Sequence, residues 1–177
     1  MTVKMTVDKL GAVIKSISDL AAKEVLVGVP EARGERRDDE PINNAAIGYI
    51  METGSPVNNI PARPHLVPGI KDAQAPIADA LGGGVTAALS GQAPGVIKAL
   101  NKAGIIGQNA VRAKITEGPF VPLAEATLRA RARRGRAGAA KELASRAAGN
   151  APDNSNARPL IDTGQYRQSI TYVVRDK

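Results

Sequence analysis

The densest chemistry in this chain is a run of five arginines within eight positions, Arg129, Arg131, Arg133, Arg134 and Arg136, with Lys141 and Arg146 just beyond. Guanidinium groups at that spacing can neutralise several phosphates and hold a nucleic acid without reading its sequence, in a salt-sensitive way. No aromatic residue is interleaved, so stacking on single-stranded bases is not supported. The plainer reading is a solvated loop or a docking surface for an acidic partner, and it carries more weight.

The other groups that could react are fewer. Gly82-Gly83-Gly84 is the one glycine cluster that suggests phosphate binding, but no Gly-Lys-Ser/Thr follows and no strand precedes a GxGxxG register. Asp38-Asp39-Glu40 could face a hard cation, but the glycine-bearing oxygen-ligand loop is missing and Arg36 and Arg37 adjoin it. His65 is the only histidine and cysteine is absent, so one chain can build neither a His cluster nor a thiolate site, and no nucleophile-and-base arrangement can be read around His65, which sits among prolines. Asp162 and Thr163 read as helix-capping residues. These exclusions predict a protein that is not an enzyme and needs no cofactor or metal.

The composition is that of an unusual core. Aromatic residues make up 2% of 177, with no Trp and a single Phe (Phe120), so packing must rest on Ala, Val, Ile and Leu. Small side chains favour close helix packing but bury little area each. A chain of this length is expected to form one domain over 1–177. The net charge of +7 suits nucleic acid, an anionic membrane or an acidic protein and does not choose among them. Lys4, Asp8 and Lys15 interrupt the amino-terminal apolar residues, which supports neither a signal peptide nor a membrane anchor.

The elements that must position these residues follow from periodicity and breakers. Leu10, Val13, Ile14, Ile17, Leu20 and Ala21 have helical spacing, with Asp8 placed to complement the helix start. Glu24 to Val29 reads as a strand ended by Pro30. Residues 31–40 are nearly all charged or small and read as a flexible loop. Asn43 can cap a helix bearing Ala46, Ile47, Ile50 and Met51, stopped at Gly54. A helix is expected from about Pro68, broken at Gly82-Gly83-Gly84. A second starts at Pro94 and ends at Glu117-Gly118-Pro119. Pro122 to Arg131 reads as a short helix or turn, and 132–157 as flexible, with a helix at most around Ala139 to Ala147. Asp162 or Thr163 caps a last helical turn, and Ser169 to Val174 is a strand. Its sheet needs further partners, around Ile42, around Val57–Ile60, or from a neighbouring subunit. The predicted class is α+β: a small antiparallel sheet packed with an amino-terminal helix and long central helices, plus a flexible arginine-rich loop.

Two separated stretches are denser in shape-fixing residues than the rest: Ile60-Pro61-Ala62-Arg63-Pro64-His65-Leu66 and Pro159-Leu160-Ile161-Asp162-Thr163-Gly164-Gln165 with Ser169-Ile170-Thr171. With Asn44 to Gly54 before the first and long helices between them, this layout resembles the small neck and tail-completion proteins of tailed bacteriophages, the group called HK97 gp10-like. The resemblance runs from about residue 8 to 174. Relatives commonly carry an aromatic or larger apolar residue where His65 stands and a leucine where Tyr166 stands. The 132–157 stretch also looks longer than the usual connection.

The resemblance implies a structural virion protein at the head–tail junction or the tail-tube end, acting as a ring of identical subunits, six-fold or twelve-fold. Implied partners are neighbouring head-completion or adaptor proteins and tail-terminator or tube proteins, with non-specific contact to genomic DNA in the channel and no membrane. The implied location is the virion neck or tail, with assembly in the host cytoplasm. In that role Pro61, Arg63 and Pro64 hold a loop in shape, Arg63 being a candidate for a buried or intersubunit pair. Asp162, Thr163 and Gly164 set the last turn before the terminal strand. The rival expectation is a free DNA-binding protein that uses Arg129, Arg131, Arg133, Arg134 and Arg136.

Overall fold

The structure is a computed structural model that describes residues 9–35 and 42–177. Asp8 and residues 36–40 of the charged 31–40 segment therefore lie outside the described residues, while Glu31–Arg33 forms a short 3-10 turn. In chain order the elements are α1 (Leu10–Ala21), β1 (Lys23–Gly28), α2 (Asn44–Thr53), α3 (Leu66–Asp72), α4 (Gln74–Leu89), α5 (Ala93–Glu117), α6 (Glu125–Arg133), α7 (Ala137–Ala147), α8 (Gln165–Ser169) and β2 (Thr171–Asp176). Helices with one small antiparallel sheet make this an α+β protein.

The chain gathers into two compact units, each assembled from separated segments. The first comprises the chain up to Gly28, Ile70–Ala110 and Thr171–Lys177; the second comprises Val29–Gly69 and Val111–Ile170.

In the first unit β1 and β2 pair antiparallel, Lys23 opposite Asp176 and Gly28 opposite Thr171. The two strands form the sheet on their own among the described residues, so the expected third strand around Ile42 or Val57–Ile60 is not there. Pro56–Asn58 is instead a 3-10 turn, and Asn59 at φ 52° turns the chain back so that Ser55 bridges Ile60. A left-handed residue reverses direction and cannot continue a strand. The core of this unit is Ala88, Val96 and Leu100, packed by Leu20, Val25, Leu81, Ala87 and Val174.

The three glycines do not break α4, which runs unbroken through them. The reason is tertiary. Ala80, Gly84 and Ala88 form the buried stripe of α4, and a Cβ on Gly84 would lie 2.9 Å from that of Ala99 on α5. Close helix approach through small residues outweighs roughly 1 kcal/mol of propensity per glycine. Gly82 and Gly83 face open space.

On α5, Gly104 makes room for Tyr172 of β2: a Cβ there would lie 2.2 Å from the ring, whose hydroxyl donates to Asn101 Oδ1 at 3.1 Å. Gly104→Val is therefore expected to lower stability by about 2–3 kcal/mol through overpacking. Gly83→Ala, on the open side of α4, should raise it by up to about 1 kcal/mol. Urea denaturation of the two variants reads both signs; a neutral Gly104→Val would show that the ring is free to move away.

Helix α1 is turned differently from what its pattern predicts. It buries Ser16, with Val13 and Leu20 half-buried beside it, and leaves Leu10, Ile14 and Ile17 exposed at 65%, 59% and 42%. Its most apolar stripe faces outward.

The second unit has its own core of Leu123, Leu128, Ala139 and Ala157, with Ala132 and Leu143 against it. The expected flexible loop over 132–157 is corrected here. It is largely the helical pair α6 and α7, followed by a segment that Glu142 ties down. That carboxylate is 1% exposed and accepts from Arg146 Nε (2.9 Å), the Asp153 amide (3.2 Å) and Asn156 Nδ2 (3.2 Å). Burial opposes its ionisation, but these donors hold its pKa below the ordinary value.

Candidate functional site

The proline-rich segment is extended and irregular from Pro61 to His65. Fixed proline φ angles and the restriction on preceding residues impose that shape. Extended backbone points successive side chains to opposite sides. Ala62 and Pro64 are accordingly exposed, while Arg63 and His65 on the other side are buried at 6% and 0% exposure. The Arg63 amide donates to Met51 O at 2.6 Å, tying the segment to α2. Its guanidinium donates through Nε and Nη2 to Val121 O, both at 3.3 Å. Among the described residues no carboxylate pairs with it, and burial lowers its pKa.

His65 stands at the centre of a buried polar line. Its Nδ1 is 2.8 Å from Arg63 O, which can only accept, so Nδ1 carries the proton. Nε2 then accepts from the Tyr166 hydroxyl in α8, and the two rings meet edge to face. Burial holds the imidazole pKa down, although the Arg63 carbonyl and Glu52 pull the other way. Glu52, at the end of α2, lies 3.3 Å from Nδ1 and accepts the backbone N–H groups of His65 (2.7 Å), Leu66 (2.9 Å) and Val67 (3.1 Å). Burial works against its charge, but those three bonds at the start of α3 bring its pKa below the usual carboxylate value. Gly48 of α2 completes the enclosure, since a Cβ there would be 2.9 Å from the Tyr166 oxygen.

A carboxylate, an imidazole and a hydroxyl in line have the outline of a proton relay. The chemistry runs the other way. Tyr166 is 6% exposed, and burial, with the Glu52 charge added, pushes its pKa up. An activated nucleophile needs a lowered pKa and access to substrate. The line positions α2, α3 and α8 against one another.

The arginine run divides by helical phase. In α6, Leu128 and Arg131 face inward, three residues apart, and are buried at 0% and 9% exposure. Arg131 is a structural clamp. Its Nη1 donates to Arg158 O and Ile161 O, each at 2.9 Å, and its Nη2 donates to Pro159 O at 2.8 Å. Arg129 faces outward and pairs with Glu125 one turn earlier. Arg134 and Arg136 both reach Asp162, at 2.9 and 3.0 Å, and Arg131 Nε lies 3.9 Å from the same carboxylate. Arg133 is exposed and has no ion pair among the described residues. Of five arginines read together from sequence, one holds the backbone, three are bound to carboxylates, and one stands clear.

Asp162 therefore does not cap α8; it gathers arginines. Thr163 is not the cap either, since Gly164 holds the N-cap position without a side-chain cap bond; the Thr163 Oγ1 accepts from the Gln165 amide at 3.3 Å. Gly164 supplies the left-handed residue, φ +83°, that turns the chain into α8.

Sequence reasoning missed a general pattern: buried and half-buried arginines here donate to carbonyls of irregular backbone and of a helix end. Besides Arg63 and Arg131, Arg112 donates to Ile170 O (3.1 Å from Nε, 2.7 Å from Nη2) and Gln168 O (3.2 Å). Arg146 Nη1 donates to Leu123 O at 3.0 Å. Segments outside helices and strands leave carbonyls that must be satisfied, and a guanidinium offers five donors. The available signal was arginine recurring beside proline-rich, irregular stretches.

No protein-family model, curated protein or solved structure matches this chain. Among the described residues, no helix is long and apolar enough to cross a membrane.

Proposed function

We propose that this chain is a structural, non-enzymatic subunit of a tailed bacteriophage, one that forms a ring at the head–tail junction or tail-tube end and completes head–tail joining. One observation carries this reading beyond the motif resemblance: the two positions where the chain departs from the resembled pattern, His65 and Tyr166, are bonded to each other. A matched pair of departures is what a shared architecture requires, because changing one buried partner alone would leave a polar atom unsatisfied. The same contact joins the Pro61–Arg63–Pro64 motif to the terminal one across 101 residues. The exposed apolar stripe Leu10, Ile14 and Ile17 suits a subunit that covers part of its surface by assembly.

The DNA-binding alternative has less to support it, since only Arg133 in the cluster is free of a partner among the described residues. Electron microscopy of lysates from a phage carrying a null allele of this gene tests the proposal. Filled heads with separate tails, or tails of aberrant length, are expected. Intact infectious particles would overturn it, and salt-sensitive binding of duplex DNA by the isolated protein would then favour the alternative.

A further inference from the structure

A cleft of about 460 Å³ in the second unit is lined by Met51, Ile60, Pro61, Pro122, Leu123 and Pro159, with Arg63 and Arg131 in its wall. That volume falls within the range of ligand sites, which are mostly apolar with a few placed polar groups. The two arginines differ in what they have left to give. Nη1 and Nη2 of Arg131 already serve three carbonyls, and its Nε lies near Asp162. Arg63 makes two long bonds to a single carbonyl, and its Nη1 has no hydrogen bond among the described residues. A guanidinium at 6% exposure with no carboxylate partner is costly for a folded chain, because buried charges are normally paired. The burial-driven fall in its pKa agrees with that picture.

We propose that this cleft receives a carboxylate side chain, Asp or Glu, carried on an apolar, extended segment of a partner chain, with Arg63 as its counter-charge. The planar fork of one guanidinium matches a carboxylate, whereas a phosphate dianion would need further donors that Arg131 has already committed. A peptide fits the cleft because two stretches without helix or strand, 61–65 and 118–124, contribute its walls, and the rim includes Val121 at 57% exposure. The assignment does not depend on the phage reading, so failure of either leaves the other standing.

The test uses the full chain and acetyl-leucyl-glutamyl-leucine amide, followed by saturation-transfer NMR and calorimetry. The glutamyl peptide is expected to bind at least about tenfold more tightly than its glutaminyl analogue, as a charge-assisted bond requires. Arg63→Met should abolish that preference. Should that variant fail to fold, Thr127→Trp decides: Thr127 is exposed and lines the cleft, so the indole should block binding while the urea midpoint stays unchanged. Equal affinity for the two peptides, binding that survives Thr127→Trp, or hexanoate binding as tightly as the peptide would each overturn the proposal.

Discussion

Arg131→Met is expected to destabilise the protein by about 2–4 kcal/mol, the cost of leaving buried carbonyls without a donor. Methionine keeps the apolar stem packed beside Leu128 but offers no donor. Arg158 O, Pro159 O and Ile161 O then lose partners at 2.8–2.9 Å in a stretch with little regular backbone bonding. Arg158 O keeps the Ile161 amide at 3.2 Å, but Pro159 O and Ile161 O are left without their donor, at about 1–3 kcal/mol for each such carbonyl, partly recovered where water can enter. Asp162 keeps Arg134 and Arg136, so its own loss is small. Arg133→Met, on the outward face of the same helix, should stay within about 0.5 kcal/mol. Urea unfolding followed by circular dichroism compares the two. Equal midpoints would mean that the carbonyl clamp contributes nothing and that the 158–161 turn holds itself.

The second large effect is at His65. His65→Ala strands the Tyr166 hydroxyl and the Arg63 carbonyl and opens a cavity at a position with 0% exposure, for a loss of about 3–4 kcal/mol. Tyr166→Phe, which strands only Nε2, should lose about 1–2 kcal/mol. The imidazole also gives stability a pH dependence of definite sign. Its folded pKa lies below the unfolded value of 6.5, so the unfolded chain takes up the proton first. The His65 contribution is complete above that value and is lost as pH falls through the window beneath it. Glu52 adds to this in more acid solution: its folded pKa lies below 4.5, so its contribution holds above that value and fades further down. The wild-type urea midpoint should therefore decline between about pH 7 and pH 5, and that of His65→Ala should be flatter over the same interval. Parallel profiles would show that the imidazole does not set the acid limb.

How much of this was legible depends on how far apart the causes lie along the chain. Element ends were readable. The Asn43 side chain accepts from the Ala46 amide at 2.8 Å, Pro94 sits in the first turn of α5, and that helix stops at Glu117 before Gly118-Pro119. Capping, a missing amide proton and a restricted φ all act within a few residues, so sequence by itself determined them. The α+β class was readable for the same reason, from runs of period 3.6 and β-branched clusters. The long-range facts were not. Whether Gly82-Gly83-Gly84 breaks a helix depended on Ala99 lying against Gly84. Which arginines could meet phosphate depended on helical phase and on where Asp162 and three carbonyls came to rest. His65 looked like a lone histidine because Tyr166, its partner, is 101 residues away. A formal charge is local, but its solvation, partner and burial are not, so composition determined how many arginines there are and only the tertiary structure decided what each can touch.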